Sequence, residues 1–127
     1  KNGKLVVADY KSQANTKPLD ADTYLSDVYK GGYKIQMDFY AFLLIQMGFE
    51  VDETAYFLVC NADRQAAGFY GEMKFQEALI PYNWSADWID QKVRKMIEVL
   101  NSNEIPEAHT SCKNCAYALR RAELESL

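Results

Sequence analysis

Two pairs of polar residues in this chain have types and spacing that suit the binding of ions. Asp9 and Lys11 follow an apolar run that begins at Leu5, and a strand would direct both side chains to one face. Gln36 and Tyr40 are one helical turn apart, so a helix would also place them on one face. A carboxylate can hold a divalent cation, and an ammonium group can stabilise an anion. These two pairs form the candidate site.

The elements that must position these pairs follow from the apolar pattern. In the long helix, Ile35, Phe39, Phe42 and Leu43 recur at helical steps, which predicts that they form its buried stripe. The order strand, helix, strand predicts a right-handed crossover, in which ligand groups gather beyond the carboxyl ends of parallel strands. We therefore expect the two pairs to converge. The predicted elements are strand 5–11, helix 23–29, helix 33–47, strand 53–61, an edge strand 74–82, helix 86–101 and a short charged tail helix.

Length and composition indicate an ordinary globular domain. The chain has 127 residues, 49% hydrophobic and 25% charged, which suits a single core. A net charge of −4 gives no general attraction to nucleic acid, so any DNA contact needs a local basic patch. No apolar run approaches the roughly 20 residues of a membrane span, and we expect no membrane partner. The odd number of cysteines favours a reducing, cytoplasmic setting.

The motifs of the candidate site carry a resemblance to a known family. The segments VADYKS at 7–12 and YKIQMDFYAFLL at 33–44 together resemble the PD-(D/E)XK nuclease superfamily. The closer similarity is to its RecB-like branch, which includes CRISPR-associated and phage exonucleases. That branch pairs a strand Asp-x-Lys with a helix Gln-x3-Tyr. The tail from Ile105 to Tyr117 also resembles the C-terminal end of that branch.

The resemblance implies a fold, an activity and a set of site residues. The fold would be α/β, a restriction-endonuclease-like mixed sheet flanked by helices. The activity would be metal-dependent hydrolysis of phosphodiester bonds in DNA, in the manner of an exonuclease. Asp9 and the backbone carbonyl of Tyr10 would hold Mg²⁺ or Mn²⁺, and Lys11 would orient water or stabilise charge on the phosphate. The DNA strand would be held by Gln36 and Tyr40, with further phosphate contacts from Lys17 and Lys34.

The chain also departs from the family pattern. The superfamily's first metal-binding aspartate, and the His or Glu of this branch, precede the Asp-x-Lys strand, whereas no Asp, Glu or His precedes Asp9 here. We therefore expect residues 1–127 to be the C-terminal portion of one nuclease domain, with a core at 1–101 and a cysteine-containing tail at 102–127. The N-terminal part of the core would be missing. An upstream segment of the same protein would complete the site, and the chain alone would be inactive.

The cysteine pair Cys112-x2-Cys115 suggests a metal site, but four ligands are normally needed. Iron–sulfur members of the branch carry another cysteine shortly after this pair, and no cysteine follows Cys115. We expect no iron–sulfur cluster. His109 is expected to be a surface loop residue.

Two other functions fit the same residues. A catalytically inactive relative could keep the fold and serve as a DNA-binding or interaction module in a recombination or phage complex. An unrelated α/β interaction domain would leave Asp9 and Lys11 solvated. Binding of a divalent cation near Asp9 separates the nuclease from the unrelated domain. Cleavage polarity, strand preference, oligomeric state and pathway do not follow from the sequence.

Overall fold

The computed structural model describes residues 2–126; Lys1 and Leu127, the ends of the predicted 1–127 domain, lie outside the described residues. The strands and helices of the described chain follow the predicted order. A single 3-10 turn, Val28–Lys30, joins the first two helices. The elements are β1 (Ala8–Gln13), α1 (Ala21–Ser26), α2 (Gly31–Gln46), β2 (Thr54–Ala62), β3 (Phe75–Asn83), α3 (Ile89–Leu100) and α4 (Lys113–Glu125).

The strands form one mixed sheet in the order β1-β2-β3. β1 and β2 are parallel, as the crossover predicts, and β3 is antiparallel to β2 at an edge that tolerates Pro81. The predicted α/β class, a mixed sheet flanked by helices, is confirmed. β1 begins later than expected, because Leu5 makes only an isolated bridge to Val51 before the regular ladder starts at Ala8.

The core lies between one face of the sheet and the helices α1 and α2. Alternate residues of β2, among them Phe57 and Val59, are fully buried, and Met37 and Ala41 of α2 pack into the same cluster. The predicted stripe of α2 is wrong at two positions: Ile35 and Leu43 are 50% and 52% exposed. Since α2 is apolar on most of its circumference, periodicity alone does not identify its buried face.

Two aspartates fix where the helices begin. The Asp20 carboxylate accepts a hydrogen bond from the Thr23 amide at 2.8 Å and caps α1. The predicted helix 23–29 is interrupted at Asp27, whose backbone is extended and whose carboxylate accepts from the Tyr29 amide at 3.0 Å. The chain then passes through the 3-10 turn straight into α2. Gly48, at a φ of +88°, follows the end of α2.

The chain divides into two compact units, residues up to Ile89 and residues from Asp90 onward. The first unit contains the sheet, α1 and α2, and it ends before the predicted core boundary at residue 101. The second unit contains α4 and nearly all of α3, which begins at Ile89 and not at residue 86 as predicted. No helix in residues 2–126 combines the length and apolar character that a membrane span requires.

Candidate active site

The four residues singled out in the sequence form a continuous set of contacts. The Lys11 Nζ lies 2.6 Å from the Asp9 Oδ2 and donates a hydrogen bond of 2.8 Å to the Gln36 Oε1. The Gln36 Nε2 in turn donates to the Tyr40 hydroxyl. The convergence arises because β1 directs Asp9 and Lys11 toward the core face, beside Phe57 and Val59 of β2, where Gln36 of α2 reaches Lys11.

Asp9 and Lys11 are largely withdrawn from solvent. Their side chains are 19% and 15% exposed, and the Lys11 Nζ lies 4.2 Å from the centre of the Tyr33 ring. Removing such charges from water is costly unless they are paired. The alternative in which both charges are simply solvated does not fit this geometry.

The oxygen atoms near Asp9 fit a hard divalent cation in type. The Asp9 Oδ2 is buried and accepts no hydrogen bond, so its contact with Lys11 is an ion pair only. The Val7 carbonyl accepts from the Tyr56 amide of β2 at 2.9 Å, and alternate residues of a strand point their backbone groups to opposite sides. The Tyr10 carbonyl therefore points to the edge of β1 that has no partner strand within residues 2–126. A carboxylate and a carbonyl are ligands that Mg²⁺ and Mn²⁺ accept.

These two oxygens are only part of a ligand shell. Within residues 2–126, no three Asp, Glu, His or Cys side chains lie close enough together to hold a metal ion. Magnesium requires a near-octahedral shell, so the remaining positions would be filled by water, phosphate or other ligands.

A second lysine, Lys30, contributes to the site; the sequence allows a phosphate contact for it, but a solvated surface position is the default. The Lys30 Nζ donates to the Gln13 Oε1 at 2.9 Å and lies 5.1 Å and 5.2 Å from the ring centres of Tyr24 and Tyr33. Lys11 and Lys30 thus both lie near the Tyr33 ring. Asp9 supplies the carboxylate that is paired with Lys11. This excess of positive charge suits an anion such as a phosphate.

Tyr24 is a further buried polar group beside the site. Its ring lies 5.7 Å from that of Phe57, the residue directly across the ladder from Asp9. Its hydroxyl is buried without a hydrogen-bond partner. Burial raises the pKa of Tyr24 to about 12, and the nearby Tyr33 and Asp9 add to the effect. The phenol therefore keeps its proton and can act only as a neutral group at ordinary pH. No sequence signal marks it, because only the packing of α1 on β2 brings it here.

Lys17 and Lys34, the other predicted DNA contacts, are engaged elsewhere in the first unit. The Lys34 Nζ donates to the Leu25 carbonyl at 3.0 Å, at the end of α1. The Lys17 Nζ lies 3.3 Å from the Asp27 Oδ2. The Tyr29 amide and then Lys17 hold the pKa of Asp27 below its usual range. Contacts of Lys17 and Lys34 with DNA remain predictions.

The cysteine pair lies in the second unit. Cys112 caps α4, where its Sγ accepts from the Cys115 amide at 3.3 Å. A hydrogen bond from the Cys115 side chain lowers the pKa of the Cys112 thiol. Both thiols are free, as is Cys60, which is buried in β2. His109 is exposed, as expected, and its Nδ1 accepts from the Ser111 amide.

The fold and the site together define a class of protein. Asp9 and Lys11 lie within β1 and not at its end as predicted, because β1 continues to Gln13. A mixed sheet flanked by helices, with a carboxylate and a lysine on one face of a strand, is the architecture of a restriction-endonuclease-like domain. Residues 1–120 match the family model of the PD-(D/E)XK nuclease superfamily. The chain belongs to that superfamily, whose members are nucleases acting on DNA and generally using divalent metals such as Mg²⁺ or Mn²⁺. No curated protein and no solved structure matches it.

Proposed function

We propose that this chain is the C-terminal portion of a RecB-like, metal-dependent exonuclease that hydrolyses DNA. The observation that carries the proposal is the buried contact of Asp9 with Lys11, extended by the hydrogen bond from Lys11 to Gln36. The RecB-like placement is supported by the spacing of Gln36 and Tyr40 and by the cysteine pair of the tail. A cytoplasmic location is part of the same proposal.

Each residue of the set has a defined role in this proposal. Asp9 and the Tyr10 carbonyl hold a divalent cation, which when bound polarises the phosphate and lowers the pKa of the attacking water. Lys11 stabilises the negative charge that develops on the phosphate. Gln36 keeps the Lys11 ammonium group in place by accepting its hydrogen bond, and the Tyr40 hydroxyl fixes the orientation of the Gln36 amide.

The remaining metal ligands come, in this proposal, from a segment of the protein that precedes Lys1. The support is the donor count, since one carboxylate and one carbonyl fix an ion poorly. An error of about 1 Å in position can cost on the order of a hundredfold in rate. Residues 1–127 alone are therefore expected to be inactive, and the full-length protein is the material for the test.

The central experiment compares two variants of the full-length protein. Asp9→Ala is expected to abolish Mg²⁺-dependent cleavage of linear DNA and to weaken Mn²⁺ binding measured by calorimetry. Lys11→Ala is expected to lower turnover by about 100-fold or more, because it removes one group that stabilises developing charge on the phosphate. Mn²⁺ binding by this variant is expected to persist. Asp87→Ala, at an exposed position, is the control. Wild-type cleavage by both site variants would refute the nuclease mechanism.

The exonuclease assignment has its own test. Linear DNA should be degraded from its ends, whereas covalently closed circular DNA should stay intact under the same conditions. Cleavage of the closed circle at a comparable rate would replace the exonuclease assignment with an endonuclease.

A second candidate is a DNA-binding relative without cleavage. One observation favours it: residues 2–126 supply no group of three metal-ligating side chains. This alternative predicts DNA binding by the full-length protein that chelation of divalent cations leaves unchanged, with no hydrolysis in Mg²⁺ or Mn²⁺.

A further inference from the structure

A polar cavity of about 450 Å³ lies beyond the carboxyl ends of β1 and β2, between the loop after β1 and the β2–β3 connection. Its size is within the range of small-molecule sites. Ligands of open α/β sheets bind at this end of parallel strands. The side chains and loops around it include Asn15, Lys17, Asn61, Arg64, Lys74 and Gln76.

One wall of the cavity is fixed by a pair of asparagines. Asn61 is 7% exposed, and its Oδ1 accepts from the Asn15 amide at 2.8 Å while its Nδ2 donates to the Asn15 carbonyl at 2.9 Å. These two bonds tie the loop after β1 to β2. The Arg64 Nη1 adds a hydrogen bond of 3.3 Å to the Ala14 carbonyl. The cavity is thus built by ordered contacts.

The charge around the cavity favours an anion. Lys17, Arg64 and Lys74 line it, against the single carboxylate of Asp63. Lys17 is partly neutralised by Asp27, which leaves Arg64 and Lys74 as the main sources of positive charge. This local excess occurs in a chain whose net charge is −4. A local excess of positive charge is what DNA binding to an acidic chain would require.

The cavity continues the line of the active site along β1. Asp9, Lys11 and Gln13 face one side of the strand, and Lys30 holds Gln13. At about 3.3 Å per extended residue, Asn15, two residues beyond the end of β1, lies at most roughly 13 Å from Lys11. A stacked nucleic-acid strand advances about 3.4 Å per nucleotide, so that span corresponds to at most about four nucleotides.

We propose that this cavity binds one nucleotide of the DNA strand whose scissile phosphate lies at Asp9 and Lys11. Arg64 and Lys74 contact its phosphate, and the Gln76 amide contacts the base edge, as amide side chains do in base recognition. The inference rests on the proposed function, because it takes the scissile phosphate to be held by Asp9 and Lys11. It predicts that the DNA is gripped up to about four nucleotides from the cleavage point.

The test measures binding of labelled single-stranded oligonucleotides by fluorescence anisotropy, with the full-length protein and with EDTA present to prevent cleavage. One oligonucleotide has 12 nucleotides, about three times the proposed span, and the other is a dinucleotide, too short to reach both sites. Lys74→Ala combined with Gln76→Ala is expected to weaken binding of the long one about tenfold, and the wild-type protein is expected to bind the dinucleotide more weakly than the long one, because the dinucleotide cannot occupy both sites at once. The slope of the logarithm of affinity against the logarithm of salt concentration should become shallower by the amount that corresponds to about one phosphate contact.

Lys92→Ala, which changes the net charge equally but lies outside the cavity, should alter neither affinity. Thermal melting of each variant verifies folding. Unchanged binding of the long oligonucleotide by the double variant, or equal affinity of the wild-type protein for both lengths, would overturn the subsite while leaving the Lys11-dependent cleavage intact. Absence of DNA binding by the wild-type protein in EDTA would overturn the subsite, whereas Mg²⁺-dependent cleavage, measured separately, decides the proposed function.

Discussion

At the scale of single residues, the site is a small number of charges held in place by neutral neighbours. The Lys11 ammonium contacts the Asp9 carboxylate, the Gln36 amide and the Tyr33 ring at the same time. Such a lysine has little freedom left, so its position is set before any substrate arrives. Among the described residues, two buried side-chain oxygens accept or donate no hydrogen bond: the Asp9 Oδ2, which is ion-paired with Lys11, and the Tyr24 hydroxyl.

Lys30 should contribute to DNA affinity and not to the chemical step. Lys30→Met keeps the apolar stem against Tyr24 and Tyr33 but removes the charge. We expect DNA binding to weaken by about threefold to tenfold. The slope of the logarithm of affinity against the logarithm of salt concentration should become shallower by about one. Anisotropy titrations across a salt series measure both. An unchanged salt slope would show that Lys30 contacts no phosphate, and Lys92→Met is the charge-matched control.

Tyr24 should tolerate loss of its hydroxyl. Because that hydroxyl is buried without a partner, Tyr24→Phe is expected to leave the free energy of unfolding unchanged or to raise it by up to about 1 kcal/mol. Urea denaturation measures the change. A loss of more than about 1 kcal/mol would mean that the hydroxyl has a hydrogen-bond partner in solution.

At the scale of elements, the site depends on how α2 is fastened to the sheet. Asp38, in the middle of α2, is 5% exposed, and its Oδ1 accepts from the Tyr82 hydroxyl at 3.0 Å and the Ser85 amide at 3.2 Å. Its Oδ2 accepts from the Trp88 Nε1 at 2.8 Å. One carboxylate thus joins α2 to β3 and to the segment that follows it. Gln36 and Tyr40 lie on the same helix, so this fastening also sets their position.

Asp38→Ala should be among the most damaging substitutions in the first unit. It would leave three part-buried donors without their acceptor, and we expect a loss of about 2–4 kcal/mol in the free energy of unfolding. Chemical denaturation gives the value, with the exposed Asp87→Ala as the control. A loss below about 1 kcal/mol would contradict the fastening role.

The same contact predicts a loss of stability at alkaline pH. Burial, then the hydrogen bond to Asp38 and its charge, raise the pKa of Tyr82 to about 12, and burial does the same for Tyr24. Unfolded tyrosine titrates near about 10. A raised pKa in the folded state means that the stability is present below about pH 10 and is lost as the pH rises toward about 12. Thermal melting between these values should show the decline, and Tyr82→Phe should make it shallower. An identical decline in that variant would assign the effect to other groups.

The elements show which features a sequence can and cannot reveal. The pairs Asp9–Lys11 and Gln36–Tyr40 were predictable because each lies within one element, where the strand or helix period fixes the face. The parallel crossover, the cap at Asp20 and the edge position of β3 also follow from local rules. Asp38 and Tyr24 were missed because their partners come from other elements, up to 50 positions away for Trp88. Those contacts are set by packing, which local patterns do not encode.

At the scale of the whole molecule, charge and chemistry are distributed unevenly. The first unit carries the predicted site residues and the cavity, and the second carries the cysteine pair. An acidic chain with a positive region at the ends of β1 and β2 would repel DNA over most of its surface and attract it locally. Such a charge pattern favours one orientation of the substrate on approach.

The purified full-length protein should carry no iron–sulfur cluster bound to Cys112 and Cys115. The two thiols supply half of the usual set of four ligands, and the Cys112 Sγ is engaged with the start of α4. Elemental analysis and the visible absorption spectrum test this expectation. Stoichiometric iron with a brown chromophore that Cys112→Ser removes would show that further ligands reach the pair.

The two tryptophans give the first unit a built-in optical signal. The Trp88 indole N–H donates to the Asp38 carboxylate, and the Trp84 indole N–H donates to the Asp52 carbonyl at 2.7 Å. Each indole therefore emits from a fixed, partly dry environment that unfolding replaces with water. A red shift of fluorescence reports the release of α2 through Trp88 and the opening of the segment before β2 through Trp84. Single Trp→Phe variants would separate the two signals and show whether these regions open together.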